Sequence, residues 1–265
     1  MEYFIICLSS LLVSILTLFS GFGLATILMP LFALFFPLQI AIAATAIVHL
    51  FNSIFKAFLV GKFANKAIVI KFAIPALIAS AIGAYLLGAT SNLHALYSYK
   101  LQGLKFSITP ISALIGIIII LSAIFELIPK LSKISFDQKY IPIGGLVSGF
   151  FGGLSGNQGM FRSAFLIRSG LKKEEFIGTS VLCSIVVDVV RITIYGWIIY
   201  SQQFATLLSH EMQNLLIVAC AAAFIGSYIG SKLMHYSSLK MIQFIVGLML
   251  LLMGFAMALG LIKPS

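Results

Sequence analysis

The residues of this chain that are suited to chemistry are polar and ionisable side chains inside long apolar segments. The sequence from Gly152 to Arg162 is G-G-L-S-G-N-Q-G-M-F-R, and the run that leads into it from Tyr140 carries no charged residue. Its glycines and polar cluster predict a break between two half-helices, which a bilayer tolerates only around a polar cavity or inside packed protein. N–H groups at the start of a half-helix attract anions. The residues expected to supply such donors are Ser155, Gly156, Asn157 and Gln158.

Positive charge exceeds negative charge in these segments. Asp188 and Arg191 are three residues apart and therefore share one face of a predicted helix. A structural ion pair would also explain this spacing, and the sequence leaves that alternative open. Arg162 and Lys56 add cations that Asp188 does not balance, so we expect an anion to supply the missing counter-charge. Guanidinium groups suit an oxyanion because their planar donors bind two oxygens together, which makes Arg191, and then Arg162, the first candidates for binding it.

A second polar face lies in the first half of the chain. His49, Asn52 and Lys56 are spaced by three and four residues, which places them on one side of a helix. His49 and Asp188 are the candidates for proton coupling, because they are the titratable groups expected near the middle of the membrane. A hydrogen-bonded packing role would also fit a single histidine in an apolar helix.

The composition is that of an integral membrane protein. Hydrophobic residues make up 61% and charged residues 9% of the 265 residues, and the mean hydropathy is +1.13, whereas soluble domains are about 25% charged. The apolar runs predict an all-α protein with about eight transmembrane segments. The net charge of +10 is assigned to cations that face lipid phosphates and not to nucleic-acid binding. Glu126 is expected at an interfacial helix end, and Tyr195 and Trp197 are expected to be interface anchors.

Sequence motifs for catalysis or cofactor binding are missing from the chain. It contains no phosphate-binding glycine loop, no H-E-x-x-H motif and no nucleophile with a nearby base. Cys7, Cys183 and Cys220 are isolated from one another, and the histidines have no metal-ligand spacing. We therefore expect no enzyme activity, no cofactor and no metal site.

The two halves of the chain repeat the same order of features. A shift of 135 residues aligns Thr45 with Ser180 and Lys56 with Arg191. Two repeats of four helices are predicted, each beginning with a helix that a Gly-rich loop interrupts: residues 1–129 and 140–265, joined by a Lys-rich loop at 130–139. Interrupted helices at equivalent positions indicate a transporter binding site between the repeats, but their relative orientation and the oligomeric state stay open. The first repeat's candidate binding residues are Ser20, Gly21, Gly23, Thr45, Asn52 and Lys56.

Short glycine motifs recur over most of the chain. They are Ser20-Gly21-Phe22-Gly23 with Pro30, Ala43-Ala44-Thr45, Gly61, Gly149-Phe150, Gly152-Gly153-Leu154-Ser155-Gly156 and Gly178-Thr179-Ser180. Together they resemble the sulfite exporter TauE/SafE family of membrane transporters. The resemblance implies a bacterial inner-membrane permease for sulfite, sulfonates or other small organic anions.

The sequence therefore predicts a multi-pass transporter of a small sulfur-containing or organic anion. One alternative is a cation or metal permease, which the excess of buried positive charge disfavours. Another is a non-transporting membrane scaffold or assembly factor, which a flux measurement would distinguish from a transporter.

Overall fold

Helices form most of the fold in the computed structural model. The structure describes residues 2–20, 24–90, 93–101, 103–128, 130–131, 135–199, 209–233 and 239–262. The α-helices in these residues are α1 (Glu2–Ser20), α2 (Leu24–Ala33), α3 (Leu38–Val60), α4 (Lys66–Ala89), α5 (Pro110–Leu127), α6 (Ile141–Ser155), α7 (Gly159–Leu166), α8 (Lys173–Ile199), α9 (His210–Leu233) and α10 (Leu239–Ala258).

Helix length and apolar composition make the chain an integral, multi-pass membrane protein. Among the described residues, five helices are long and apolar enough to cross a bilayer, namely α3, α4, α5, α8 and α9. Helix α3, with 23 residues, is about 35 Å long, which exceeds the hydrocarbon thickness of roughly 30 Å. Parts of α1, α2 and α10 are shorter apolar helices. The number of eight transmembrane segments stays a prediction.

A β-hairpin is the one described element that departs from the predicted all-α class. Strands β1 (Tyr97–Leu101) and β2 (Leu104–Ile108) pair antiparallel in the connection between α4 and α5. Gly103 adopts a φ of 83° in the turn between them, a conformation that glycine reaches without steric cost. The Tyr99 hydroxyl donates a hydrogen bond to the Leu259 carbonyl at 2.7 Å, so the hairpin contacts the end of α10.

Helices α6 and α7 form a tight helical hairpin. Helix α6 ends at Ser155, and Gly156 follows with a φ of 83°. The chain then reverses its direction. The reversal brings the Gln158 carbonyl to the Ser148 hydroxyl of α6, which donates a hydrogen bond to it at 2.8 Å. Phe136, which precedes α6, donates its N–H to the carbonyl of Ala164 in α7 at 3.1 Å. Helix α7 therefore runs back toward the first residue of α6. Helices α1 and α2 are likewise separated by a short segment, residues 21–23, which lies outside the described residues.

Glycines allow α6 to lie directly against α4. A Cβ on Gly149 would lie 2.7 Å from the Ala76 Cα and closer still to the Ala76 carbonyl oxygen. Gly145 faces the Phe72 carbonyl and Gly153 the Ser80 carbonyl in the same way, one turn before and after. Small residues at such spacing let membrane helices approach closely and gain packing energy. The two helices run parallel, since both sets of positions rise together along the chain.

Several further helix pairs fix the arrangement around the centre. Helix α1 runs parallel to α9, where Gly226 and Gly230 face the Leu11 and Ile15 carbonyls. Helix α5 packs antiparallel to α10, with Gly116 against Ala258 at one end and Gly247 against Leu127 at the other. Helix α3 packs antiparallel to α8, and Gly178 of α8 touches the Val60 carbonyl. All ten residues of α2 are buried, which makes this half-helix an interior element.

Gly149→Ala is expected to destabilise the protein, because its methyl group would enter the backbone of α4. Overpacking of this kind costs about 1–3 kcal/mol. Gly196→Ala in α8 is the matched control, since a Cβ there meets nothing within 4 Å and alanine favours a helix by about 1 kcal/mol over glycine. Thermal unfolding in detergent measures both variants, and an unchanged melting temperature for Gly149→Ala would contradict the close contact.

Candidate functional site

The carboxylate of Asp188 on α8 is the centre of a buried hydrogen-bond network. Its Oδ1 accepts from Arg191 Nε at 3.0 Å and from Gln158 Nε2 at 3.1 Å, and its Oδ2 lies 2.6 Å from His49 Nδ1. Asp188 and Arg191 are completely buried, and His49 is nearly so. The three partners stand on α3, on α8 itself and in the break before α7. One carboxylate therefore joins three elements that are far apart in sequence.

The spacing of Asp188 and Arg191 produces the ion pair that the sequence left open. Arg191 Nη2 lies 2.8 Å from Asp188 Oδ1, although without hydrogen-bond geometry. Arg191 Nη1 also donates to the Gly152 carbonyl at 3.4 Å. Because Asp188 neutralises Arg191, the structural interpretation of this pair fits the geometry better than a free anion-binding arginine.

Gln158 connects this ion pair to the second arginine. Its side-chain oxygen accepts from Arg162 Nη1 at 3.3 Å while its side-chain nitrogen donates to Asp188. Arg162 is buried, and its Nε has no hydrogen-bond partner. No carboxylate of the described residues lies within ion-pair distance of Arg162, so its positive charge is not neutralised by direct contact.

Lys56 on α3 is a second cation that no described carboxylate neutralises. It is 8% exposed and forms no ion pair with the described carboxylates. The buried group of Lys56, Arg162, Arg191 and Asp188 therefore contains three cationic side chains and one carboxylate.

Several buried polar side chains beside these charges also lack partners. The hydroxyls of Thr45 and Ser180 and both amide atoms of Asn157 make no hydrogen bond. Buried polar atoms are usually satisfied, because an unpaired one costs about 1–3 kcal/mol. Unused donors next to unneutralised cations are the arrangement that an anion would complete.

The antiparallel register of α3 and α8 separates these groups into two levels. With His49 bonded to Asp188 and Val60 touching Gly178, Ser180 falls at the height of Lys56 and Thr45 at the height of Arg191. Thr45 and Lys56 are 11 residues apart on α3, or about 16 Å along its axis. The predicted binding residues therefore do not form one shell around a small anion.

The break after α6 faces the beginning of α2. A Cβ on Gly156 would lie 2.8 Å from Arg191 Nη1 and 3.5 Å from the Ala25 Cβ. A side chain at this position would displace the arginine, and the positive φ adds strain. Glycine is required here for both reasons.

The remaining predicted residues have structural partners or lie outside the described part. Ser155 donates to the Phe151 carbonyl at 3.0 Å and accepts from the Asn157 N–H at 3.4 Å. The Asn52 side-chain oxygen accepts from Ser227 on α9 at 2.7 Å. Gly21, Gly23 and the side chain of Ser20 lie outside the described residues, so their predicted role stays a prediction.

One interpretation of a single residue was wrong, and it concerns burial. Tyr195 is not an interface anchor: it is 3% exposed, and its hydroxyl donates to the Gly153 carbonyl. Trp197, two residues later, is 81% exposed and points away from the protein as expected. Glu126 lies near the end of its helix as expected, and its side chain is buried, at 3% exposure. An aromatic residue or a carboxylate near a helix end gives no signal of which face it occupies, so the sequence could not distinguish these cases.

Sequence reasoning missed Ser148 and Ser227, which position Gln158 and Asn52. Serines on helices are common, and nothing in their spacing marks these two. The described residues contain no group of three or more His, Cys, Asp or Glu side chains placed to hold a metal ion.

The helices and the charged centre together define a multi-pass membrane protein with a buried, cation-rich polar site. The sequence model of the family described as Sulfite exporter TauE/SafE matches residues 6–257. The chain therefore belongs to the TauE/SafE family, which is a family of transporters and not of enzymes. No curated protein and no solved structure matched the chain.

Asp188→Asn is expected to destabilise the protein, because it leaves Arg191 buried without its counter-charge. Breaking a buried ion pair by removing one partner costs about 3–5 kcal/mol. The double variant Asp188→Asn/Arg191→Met removes both charges and should recover part of that loss. Chemical unfolding in detergent measures the three proteins, and additive effects in the double variant would contradict direct pairing.

Proposed function

We propose that this protein transports a small sulfur-containing or organic anion, such as sulfite or a sulfonate, across the bacterial inner membrane. The observation that carries the proposal is the pair of buried cations, Arg162 and Lys56, without a carboxylate partner among the described residues. Isolated charges in a low-dielectric interior are costly unless they are paired. A mobile anion supplies that partner and can leave again, which a fixed carboxylate cannot do.

The binding site lies on the level of Lys56 and Ser180. Arg162 contributes an Nε without a hydrogen-bond partner among the described residues, Lys56 adds a point charge, and the Ser180 hydroxyl is an unused donor. A guanidinium next to an ammonium suits an oxyanion with two or three oxygens. Asn157, in the break before α7, supplies an unused amide donor next to Gln158, to which Arg162 is bonded.

Arg191 has a different role from the one that its position alone suggested. It fixes Asp188, and through Gln158 the orientation of Arg162, so it positions the site more than it binds the anion. Thr45 lies on its level, about 16 Å from Lys56 along α3. This second level is the counterpart of the first one in the other half of the chain.

The paired contacts support two inverted repeats, residues 1–129 and 140–265, joined by the loop at 130–139. Helices α3 and α8 occupy equivalent positions and pack antiparallel, as do α5 and α10. The parallel contact of α4 with α6 has its equivalent in that of α9 with α1, and both are lined by glycines. Equivalent helices that pack antiparallel are related by a pseudo-two-fold axis in the membrane plane. Many alternating-access transporters have repeats related in this way.

The charge of the site argues against a cation or metal permease. Asp188 is the buried carboxylate of the centre, and Arg191 already neutralises it. A cation would enter next to Arg162 and Lys56, which repel it. A scaffold or assembly factor would have no use for unneutralised cations inside the membrane, and the flux experiment below distinguishes it.

Arg162→Gln and Lys56→Gln are each expected to lower anion flux by more than tenfold. Each removes a charge-assisted contact, which is worth about 1.5–3 kcal/mol. The measurement is counterflow of sulfite, thiosulfate, sulfoacetate and small carboxylates in proteoliposomes of the purified protein. Arg168→Gln and Lys62→Gln serve as matched controls, because both side chains are exposed.

Three outcomes separate the alternatives. Loss of flux in the two buried variants, with unchanged melting temperature and unchanged controls, supports the proposed site. Retained flux in both Arg162→Gln and Lys56→Gln contradicts the site but not transport. Absence of flux for every anion with the wild-type protein contradicts the transporter assignment itself.

A further inference from the structure

Glu126 is a buried carboxyl that the anion site does not use. It is the penultimate residue of α5 and is 3% exposed. Neither of its carboxyl oxygens has a hydrogen-bond partner. An ionised carboxylate in such apolar surroundings costs several kcal/mol. In this arrangement Glu126 is therefore a neutral acid that holds a proton.

The position of Glu126 relative to α10 follows from its contact with that helix. The Glu126 Cβ is 3.3 Å from the position that a Cβ on Gly247 of α10 would take. Gly247 is eight residues beyond Leu239, the first residue of α10, or about 12 Å along the axis. Glu126 thus lies near the end of α5 but beside an interior residue of α10.

The described neighbours of Glu126 offer it no counter-charge. Helix α5 has no other ionisable residue, and residues 244–258 of α10 and all of α2 have none. Helix α1 contributes Tyr3 and Cys7 from its described side chains. The nearest cations in sequence are Lys130, which is exposed, and Lys240, which is seven residues before Gly247. The side chain of Lys240 lies outside the described residues.

The contrast with Asp188 shows why Glu126 is the better group to exchange a proton. Asp188 is fixed as a carboxylate by Arg191, and His49 and Gln158 occupy the rest of it. Protonating it would break an ion pair and leave Arg191 unbalanced. Glu126 has no such partner, so taking up or releasing a proton breaks no contact with a described residue.

We propose that Glu126 is the proton-binding group of the transport cycle. Its carboxylate takes one proton from water when α5 and α10 separate on one side of the membrane. The neutral acid is stable in the packed state shown here, and the proton returns to water from the opposite side. No electrons move. This coupling rests on the proposed transport function, but proton binding by Glu126 does not.

Proton binding is tested by chemical labelling of the intact wild-type protein with dicyclohexylcarbodiimide. The protonated carboxyl adds to the carbodiimide carbon, its proton moves to nitrogen, and the adduct rearranges to a stable N-acylurea. Because the reagent is apolar, it is expected to modify Glu126, with labelling that falls as the pH rises. Exposed Glu174 on α8 is the internal control and should stay unmodified. Mass spectrometry that finds Glu126 unmodified at every pH would overturn the proposal.

Coupling is tested separately with an imposed pH gradient in proteoliposomes, using sulfite and sulfoacetate as probes. The gradient should change the wild-type flux several-fold. Glu126→Gln copies the neutral acid and should keep counterflow and thermal stability while losing the response to the gradient. Glu174→Gln is the matched control and should keep that response. A gradient response that persists in Glu126→Gln overturns coupling, whereas absent wild-type flux of both probes contradicts the transport function and leaves the labelling result to stand alone.

Discussion

The arrangement of the central helices depends on the buried carboxylate of Asp188, which balances the charge of Arg191 inside the membrane. Its carboxylate accepts from Arg191 of the same helix, from Gln158 in the break before α7 and from His49 of α3. Water is scarce at this depth, so each of these groups would be costly alone. Because the partners come from three elements, satisfying one charge also fixes how those elements lie against one another.

Two arginines in the same centre differ because of this carboxylate. Arg191 is neutralised and fully buried, whereas Arg162 reaches Asp188 only through the amide of Gln158. The amide transmits orientation but no charge. Arg191 is consequently paired within the protein, whereas Arg162 has no described carboxylate within ion-pair distance and forms the proposed anion site together with Lys56.

Glycine places the backbone close enough for this network to form. Gly156 leaves room for Arg191, and Gly152 offers it a carbonyl. The row from Gly145 to Gly153 brings α6 against α4 without side chains between them. Apolar side chains gain little from each other in lipid, so close backbone packing is what holds such helices together.

The sequence was sufficient for a helical membrane protein and for its family, whereas the binding residues stay a prediction. Spacing placed Asp188 and Arg191 on one face, and the excess of cations was visible from composition. The pairing of Asp188 with His49 was not predictable, because it depends on the antiparallel register of helices 139 residues apart. The shift of 135 residues aligns Thr45 with Ser180 and Lys56 with Arg191. In the antiparallel register, however, Thr45 lies at the height of Arg191 and Lys56 at the height of Ser180.

Asp188 and Glu126 show how the same chemical group acquires opposite behaviour. The first is held ionised by direct contact with a guanidinium, and the second is left without any partner between α5 and α10. The two carboxyls lie on different helix pairs, so a change at one reaches the other only through what lies between them. Helix α2 contacts both α3 and α10 and is buried along its whole length. A half-helix of ten residues with no exposed face cannot shift without moving its neighbours, since packed interiors transmit displacement instead of absorbing it. For the two proposed sites, α2 is therefore the element that connects the anion site to the proton site, and its first turn meets Gly156.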